Sequence, residues 1–409
     1  MRIAWIAILS LMAGVACVAS STMEIRQIPG QAELGTVEIH GVGAGDFNPH
    51  LWQKGDLNFV PDVRSPLIEP RKSGVFRNIY APSAVQTEDG WRLFYGAWDG
   101  VPTGNDRIYS VTTRDFIDFD DRRIEIEHGE FVHCCNVSAI RLPTGEYRLM
   151  CTVYPDSRDQ NKPALFTSPD GKAWNGCQAP YPARKADIIS IERYPPYPDA
   201  DINGMNVLFF EDGHYRLYFN NFHDFGRVYR ATSEDGKHFR FEGSVLEMGS
   251  VVNDVKKLQV AGEAYYLMGL HMNTQKLWYS LSQDGIHFNP ARELAANLGD
   301  KDRYIVAVGW VVKDQRVLGF LYGAGEVPSL DRNRIFARWL QKKVAFIADD
   351  GTRCEPTGAL GPDRQVITVP RDKQITGQFV VYSEDGRSEL LKSPGTLVSG
   401  AVYRLYLQD

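Results

Sequence analysis

Short runs of alternating apolar and polar residues, separated by turns rich in glycine and aspartate, follow one another along most of the chain. The stretch "NVLFFEDGHYRLYF" at residues 206–219 shows the pattern, with two apolar runs on either side of Asp212-Gly213. Asp-Gly between such runs is a strong β-hairpin signal, because the turn needs a positive φ that glycine adopts without strain. The pattern therefore predicts short antiparallel strands spaced about ten residues apart.

One turn motif recurs along the chain in nearly constant form. It reads "FTSPDGKAW" at 166–174, "ATSEDGKHF" at 231–239 and "SLSQDGIHF" at 280–288. A serine is followed two residues later by Asp-Gly, and an aromatic residue stands three positions after the glycine. We predict that this motif joins the third and fourth strands of a repeated unit. It is then part of the scaffold, with Gly236 making the bend and Phe239 packing between units.

Alignment on this motif extends the repeat to units of four strands, and the chain holds five of them. Four-stranded units around an axis are the blades of a β-propeller. We therefore predict an all-β fold with a five-bladed β-propeller over about residues 40–350. A β-sandwich is the structural alternative, but it would not account for a repeated four-strand unit. Residues 21–39 are predicted to be an N-terminal segment. Residues 351–409 are predicted to form a small β appendage or to supply a closing strand.

The N-terminus has the pattern of an export signal. Arg2 precedes an apolar run at 3–19, and small residues follow. We predict a signal peptide at 1–20 and an exported protein, either secreted or periplasmic. Gly14-Val15-Ala16-Cys17 loosely resembles a bacterial lipoprotein cleavage site, so a lipid anchor on Cys17 is the alternative to simple cleavage.

Charge and cysteine content exclude several classes of partner. The chain of 409 residues has a net charge of −6 and no run of Lys or Arg, which argues against nucleic acid or an anionic membrane surface. The cysteines other than Cys17 are too scattered for a disulfide scaffold. Vicinal Cys134-Cys135 is interpreted as a pair of buried thiols. No spaced set of ligands predicts a metal ion, and no cofactor is predicted.

Propeller topology indicates where a binding site would lie. The start of the first strand of every blade and the loop after its second strand share one face, the channel mouth, where ligands meet such scaffolds. Amides, imidazoles, carboxylates and aromatic rings are typical of sugar recognition, so the predicted partner is a carbohydrate. The predicted substrate-binding residues are Arg77, Tyr80, Trp98, Asp106, Arg107, His133, Asn136, Asn206, His223, His271, Arg303 and Glu326, with Tyr154, Asn203 and Asn253 at similar strand ends.

The blade pattern and the turn motif resemble the five-bladed propeller glycosidases: arabinanases, β-xylosidases, relatives of invertase and levansucrase, and mannoside phosphorylases. The resemblance covers about residues 40–350. It implies carboxylates at the starts of the first strands of successive blades, acting as base or nucleophile, as pKa-tuning group and as acid. The chain departs from this pattern twice. The first blade begins Tyr80-Ala81-Pro82-Ser83 and the second begins His133-Cys134-Cys135-Asn136, without a carboxylate.

Hydrolysis of a glycosidic bond uses two carboxyl groups, one protonated and one ionised. Asp201 and Asp254 lie near first-strand starts in the third and fourth units, and Asp99 from the first blade is a third candidate. We therefore predict an exported glycoside hydrolase acting on a poly- or oligosaccharide, with these three residues catalytic.

Other interpretations of the same residues stay open. Asp201 could cap the proline-rich loop at 195–203, Asp254 could bond a neighbouring blade, and Asp106 could pair with Arg107. A non-catalytic carbohydrate-binding propeller is the main functional alternative, because the first two blades lack carboxylates. A phosphorylase or a lyase is a third possibility; a phosphorylase would need an anion pocket, for which the available residues are Arg77, Arg107 and Arg303.

Overall fold

The structure is a computed structural model that describes residues 22–70, 76–100, 104–155, 160–272, 274–327, 332–383 and 385–408. The predicted signal segment, including Cys17, lies outside these residues. Pro49–Lys54 (α1) is the one α-helix of the described chain, and short 3₁₀ helices lie at Lys185–Asp187, Phe222–Asp224 and Asp300–Asp302. No helix in these ranges is long and apolar enough to cross a bilayer.

Strands account for most of the fold, which is all-β as predicted. The strands before the first blade are β1 (Thr22–Ile28), β2 (Thr36–His40) and β3 (Phe59–Pro61). The first blade consists of β4 (Phe76–Thr87), β5 (Gly90–Asp99), β6 (Arg107–Thr113) and β7 (Asp120–Glu127). The second contains β8 (His133–Arg141), β9 (Tyr147–Tyr154) and β10 (Lys162–Ser168). Four short strands follow it: β11 (Ala173–Trp174), β12 (Cys177–Gln178), β13 (Tyr181–Pro182) and β14 (Ser190–Glu192).

The remaining blades repeat the antiparallel order. The third consists of β15 (Val207–Glu211), β16 (His214–Phe219), β17 (Arg227–Ser233) and β18 (His238–Glu247). The fourth consists of β19 (Val251–Val260), β20 (Glu263–His271), β21 (Lys276–Ser282) and β22 (Arg292–Ala296). The fifth begins with β23 (Tyr304–Lys313), β24 (Arg316–Gly325) and β25 (Arg334–Leu340). The strands after it are β26 (Lys343–Ala348), β27 (Arg353–Cys354), β28 (Pro356–Ala359), β29 (Arg364–Thr368), β30 (Gln374–Tyr382), β31 (Glu389–Val398) and β32 (Val402–Gln408).

The inner strands of the five blades close into a ring. β4 contacts β8, β8 contacts β15, β15 contacts β19, β19 contacts β23, and β23 contacts β4. This is a five-bladed β-propeller, as the repeat predicted, and the inner strands surround its central channel. The hydrophobic core lies mainly between blades, where large side chains such as Trp174, Trp310 and Trp339 are fully buried.

The fourth strand of the fifth blade comes from the other end of the chain. β3 pairs with β25, and Phe59 lies opposite Leu340. The repeat runs to about residue 350 and so predicts this strand after Leu340. The structure corrects the prediction, because β26 pairs with β27 and β30 instead. Buried Asp62 fastens the junction, because its carboxylate accepts hydrogen bonds from Trp339 Nε1 at 2.8 Å and from the Gly361 backbone N at 2.9 Å.

Both ends of the chain meet in a second β unit beside the propeller. One sheet has the strand order β1-β32-β2-β29-β28, and the other has the order β27-β26-β30-β31. The sheets share a core that includes Val37, Ile39, Phe346, Phe379 and Leu397. The predicted N-terminal segment and the predicted appendage are thus paired with each other, and this pairing begins at Lys343 rather than after residue 350.

The recurring turn motif has the same hydrogen bonding in all three copies. In the copy at 280–288, Ser282 Oγ accepts from the Gly285 backbone N at 3.0 Å. Asp284 Oδ1 accepts from the backbone N–H groups of Ile286 and His287, both at 2.8 Å. Gly285 has φ 70°, the left-handed conformation that glycine adopts without strain. The motif is scaffold, as predicted.

Candidate binding site at the channel mouth

Each inner strand carries an equivalent position near its start. At this position the register of the pairing with the second strand is interrupted. The position holds Ala81 in β4, Asn136 in β8, Asn253 in β19 and Ala307 in β23. In the third blade it is Asn206, directly before β15. We call these five residues the mouth ring. All five are uncharged, since each of these positions holds alanine or asparagine.

The backbone at the mouth ring is strained at two positions. Ala81 and Ala307 both have φ 54°, in the left-handed region that costs a residue with a Cβ about 1 kcal/mol or more. Asn136 has φ 55°, which asparagine tolerates better. The surrounding blades hold these conformations, and strain of this kind clusters at functional sites.

A cavity of about 100 Å³ opens at this ring. Its hydrogen-bonding side chains come from the first, second and fourth blades and from the loop before the third blade. They are Tyr80, Asn136, Tyr154, Asn203 and His271. Apolar groups complete the wall, including the ring of Phe222 and the side chain of Met205. Among the described residues that line the cavity, none carries a carboxylate. Met205 and Phe222 were not singled out from sequence, because an apolar side chain near a strand end carries no signal of cavity lining.

Two tyrosines form one wall of the cavity, and buried Cys135 lies behind them. Cys135 Sγ interacts with the hydroxyls of both Tyr80 and Tyr154, and Tyr154 Oη donates to Asn203 Oδ1 at 2.8 Å. Burial raises the pKa of both tyrosines well above the usual value, and nearby Cys135 and Asp106 add to the shift. The phenols therefore remain neutral at physiological pH and can both donate and accept hydrogen bonds.

Asn253 sets the hydrogen position on His271. The backbone N of Val308 donates to Asn253 Oδ1 at 3.1 Å, so the amide Nδ2 is the group that faces His271. Nδ2 lies 2.7 Å from His271 Nδ1 and can only donate, which makes Nδ1 an acceptor. The imidazole is therefore the neutral tautomer with its hydrogen on Nε2. Asn253 and His271 are 1% and 8% exposed, so solvent does not compete strongly for this contact.

One predicted carboxylate lies behind the cavity wall. Asp106 is buried, and its Oδ2 is 3.1 Å from His133 Nδ1. The same nitrogen accepts the backbone N–H of Asp106 at 3.0 Å. The His133 ring packs edge-on against Tyr154, with ring centroids 5.5 Å apart. Asp106 and His133 therefore support the cavity wall, and Arg107 forms an ion pair with Glu127 on β7.

The predicted catalytic aspartates are buried and engaged with protein groups. Asp201 Oδ1 accepts from the Asn161 backbone N at 3.1 Å and from its Nδ2 at 2.7 Å. Asp254 accepts from the Trp310 backbone N at 2.9 Å and pairs with Lys256 at 2.9 Å. Asp254 thus bonds the neighbouring blade, in line with the structural interpretation drawn from sequence.

Asp99 has a similar arrangement at the outer side of the first blade. Its Oδ2 accepts from Arg122 on β7 at 2.7 Å, and its side chain is 1% exposed. None of these three aspartates lines the cavity at the mouth ring. A catalytic role for them stays a prediction, and the structure brings none of them into that cavity.

The other predicted binding residues are dispersed around the mouth. Asn206 is buried and donates to Thr152 Oγ1 at 2.8 Å. Trp98 is half-buried against Gly104. His223 and Arg303 are exposed. Glu326 lines a separate cleft of about 410 Å³ with Glu69, Lys301, Arg332 and Arg334. The Arg77 side chain lies outside the described part of the chain. No group of three or more potential metal ligands forms among the described side chains.

A larger cavity of about 960 Å³ opens at the opposite end of the channel. It is lined by segments of all five inner strands and by the turns after β4 and β8. Its charged groups are engaged in ion pairs: Arg141 with Glu88 at 3.2 Å, and Lys256 with Asp254 at 2.9 Å. This end also carries uncharged polar side chains, those of Gln86, Thr87 and Thr144. The mouth is preferred as the candidate site because strained ring positions and five hydrogen-bonding side chains meet in its cavity.

Comparisons with known proteins bear on the fold. No protein-family model matches the sequence, and no curated protein matches it significantly. A solved structure described as a glycoside hydrolase has TM-score 0.50 and 11% identity, over 72% of this chain and 95% of that one. The catalytic domain of the Coprinopsis cinerea GH62 α-L-arabinofuranosidase has TM-score 0.49 and 15% identity, over 70% of this chain and 97% of that one. The Bombyx mori GH32 β-fructofuranosidase has TM-score 0.49 and 12% identity, over 87% of this chain and 93% of that one. The chain therefore has the five-bladed β-propeller fold found among glycoside hydrolases.

Proposed function

We propose that this protein binds a neutral carbohydrate at the mouth ring and does not hydrolyse it by the ordinary two-carboxylate mechanism. One observation carries the proposal: the cavity at the mouth ring is lined by neutral hydrogen-bonding side chains and aromatic groups. The aspartates that would supply acid and base are held by other protein groups.

The cavity suits the chemistry of sugar hydroxyls. A hydroxyl both donates and accepts, and the side chains of Asn136 and Asn203 together offer both kinds of group. His271 lines the cavity and carries its hydrogen on Nε2, and Phe222 provides a ring that can stack against sugar C–H groups. Since the polar lining is uncharged, it favours neutral sugars over uronic acids or sulfated sugars.

Calorimetric titration with a panel of neutral and acidic oligosaccharides tests the proposal. We expect a neutral oligosaccharide to bind, and Asn203→Ala and Tyr154→Phe each to weaken binding about tenfold, the effect of losing one or two hydrogen bonds. Tyr406→Phe removes an exposed phenol on β32 and serves as the matched control, with unchanged affinity. Lack of binding across the panel, or unchanged affinity in both mouth variants, contradicts the proposal.

Glycoside hydrolysis is the second candidate, favoured by the fold and by buried Asp106 beside the cavity wall. Product analysis on the same panel distinguishes the two. The predicted hydrolase is supported if the wild type hydrolyses a glycan and Asp201→Asn, Asp254→Asn or Asp99→Asn does not. The inactive variant must keep the wild-type circular dichroism spectrum and glycan binding. Binding without product by the wild type supports the binding protein.

We further propose that the protein is exported, on the basis of the charged start and apolar run at residues 1–20. Mass spectrometry of the mature N-terminus distinguishes cleavage near residue 20 from a lipidated Cys17. Recovery of the intact N-terminus inside the cell contradicts export.

A further inference from the structure

Two buried cysteines of the second blade lie in direct contact. Cys134 on β8 and Cys151 on β9 have their sulfur atoms 3.3 Å apart. Cys134 lies opposite Val153, so Cys151 is its diagonal neighbour two residues along the adjacent strand. Both side chains are 0% exposed and belong to the core between the first two blades.

The geometry selects these two cysteines from the five of the described chain. Successive side chains of a strand point to opposite faces, so Cys135 points away from Cys134. Cys135 instead contacts Tyr80 and Tyr154 at the candidate site. Cys177 is exposed beyond the blade, and Cys354 lies in the second β unit. Cys134 is therefore the residue of the vicinal pair that can react with Cys151.

We propose that Cys134 and Cys151 form an intramolecular disulfide when the chain folds under oxidising conditions. A disulfide bond is about 2.05 Å long, so the two sulfurs need to approach by little more than about 1 Å. This movement is within reach of side-chain rotation, since the backbone pairing of β8 and β9 already holds the two residues together.

The reaction balances with a small disulfide, such as oxidised glutathione, as the oxidant. One cysteine thiolate attacks it, forms a mixed disulfide and releases one glutathione thiolate. The second cysteine thiolate then attacks the mixed disulfide, forms the Cys134–Cys151 bond and releases the second glutathione. Two electrons pass from the cysteine pair to the oxidant, and the two cysteine protons end on the two reduced glutathione molecules.

Burial determines when this reaction can occur. It raises the pKa of Cys151, and it hides both sulfurs from any oxidant in the folded protein. The disulfide therefore forms while β8 and β9 are pairing during folding. Reduced protein that has already folded resists the same oxidant.

Peptide mapping under non-reducing conditions is the direct test. The full chain is denatured, refolded with a mixture of oxidised and reduced glutathione, alkylated and digested with trypsin. We expect peptide 124–141 linked to peptide 149–158. Cys135→Ser is the matched control and keeps the link, whereas Cys134→Ser loses it. Alkylated, unlinked peptides from the refolded wild type overturn the proposal, as does a link that persists in Cys134→Ser.

Thermal unfolding gives a second readout that does not depend on the variants. The refolded oxidised protein is expected to unfold at a temperature a few °C higher than the same sample after reduction, because the link restricts the unfolded chain. Equal melting temperatures, with the linked peptide absent from the map, contradict the proposal.

Discussion

At the scale of single residues, the candidate site depends on how buried polar groups orient one another. Asn253 stands at the mouth ring, and its amide direction follows from a backbone donor on the next blade. The amide in turn fixes His271 as the neutral tautomer with hydrogen on Nε2. Asn253 thus acts on a ligand through His271 and is a positioning residue.

Asn253→Asp reverses this arrangement. The carboxylate still accepts from Val308 N, but its other oxygen can only accept, so His271 must donate from Nδ1. We expect ¹⁵N chemical shifts of histidine-labelled protein at pH 8 to show His271 hydrogenated at Nε2 in the wild type and at Nδ1 in the variant. His271→Gln identifies the resonance, and exposed Asn289→Asp is the control. A wild-type His271 hydrogenated at Nδ1 contradicts the assignment.

Sequence could predict which residue types gather at the mouth but not which groups they bond. Tyr80, Asn136 and His271 were expected there and do line one cavity. Asp254 was expected near an inner-strand start, and it is in β19, yet its carboxylate bonds a backbone group in the next blade. That contact joins residues far apart in sequence, and no local pattern encodes the side-chain rotamer that makes it.

At the scale of elements, the recurring turn does more than reverse the chain. The carbonyl of Gly285 accepts from Tyr218 Oη of the preceding blade at 2.8 Å. The carbonyl of Gly171 likewise accepts from Arg92 of its preceding blade. The aromatic that ends the motif packs the same way, as Trp174 does against Phe94 with ring centroids 6.0 Å apart. The motif therefore sets the spacing between blades.

Gly285→Ala tests this role. A methyl group there would lie 3.0 Å from Tyr218 Oη and 3.1 Å from a Tyr266 ring carbon, and φ is 70°. Gly213→Ala is the matched control, because φ is 77° and no atom lies within 4 Å of the added methyl. We expect urea unfolding to show a loss of about 1–2 kcal/mol for the control from backbone strain and about 1–3 kcal/mol more for Gly285→Ala from overpacking. Equal losses would show that the turn does not dock against the preceding blade.

The aspartates of the recurring turn predict that the folded protein loses stability at acidic pH. Hydrogen bonds from the following backbone N–H groups lower the pKa of Asp170. At Asp235 and Asp284, partial burial acts to raise the pKa, but hydrogen bonds from backbone and a histidine outweigh it, so the net pKa is also lowered. Their stabilisation is therefore complete above the unfolded pKa of about 3.9 and is lost as pH falls through the lower folded values.

Melting temperature measured between pH 2 and pH 6 checks this expectation. The wild type should lose more stability below about pH 4 than a variant with Asp170→Asn, Asp235→Asn and Asp284→Asn, which cannot titrate at these turns. Asp350→Asn removes one aspartate of the same kind in the second β unit, so it should change the acid profile less than the triple variant does. Identical acid profiles for the wild type and the triple variant contradict the assignment.

At the scale of the whole molecule, blades are joined by buried polar clusters as well as apolar packing. Glu125 on β7 is 0% exposed and accepts hydrogen bonds from Ser110 Oγ at 2.6 Å and Trp174 Nε1 at 2.8 Å. It also pairs with Arg92, whose own contact reaches the second blade. One carboxylate therefore ties the first two blades together.

Glu125→Ala leaves the buried guanidinium of Arg92 without its carboxylate. We expect a loss of about 3–5 kcal/mol in the free energy of unfolding, the usual cost of breaking a buried pair from one side. Glu88→Ala breaks an ion pair whose carboxylate is 86% exposed, so its effect should stay below about 1 kcal/mol. Chemical denaturation of both variants measures the difference, and similar losses would contradict a linking role for Glu125.

The repeat made the propeller and its five blades predictable, because hairpin turns and strand alternation are local signals. The closing strand was not predictable in the same way. β3 has three residues, carries no copy of the turn motif and pairs with a strand more than 270 positions later. The sequence after Leu340 alternates like another strand of the fifth blade, yet it joins the β unit formed by both chain ends. The positions of β3 and β26 depend on pairing between segments far apart in sequence, which local patterns do not encode.

A crystal structure of the full chain with a neutral oligosaccharide from the binding panel tests the central claim most directly. The account predicts an intact sugar at the mouth ring, in hydrogen-bond contact with Asn136, Asn203 or His271. A sugar bound instead in the cavity at the opposite end of the channel, or cleaved products held between two carboxylates, would contradict it.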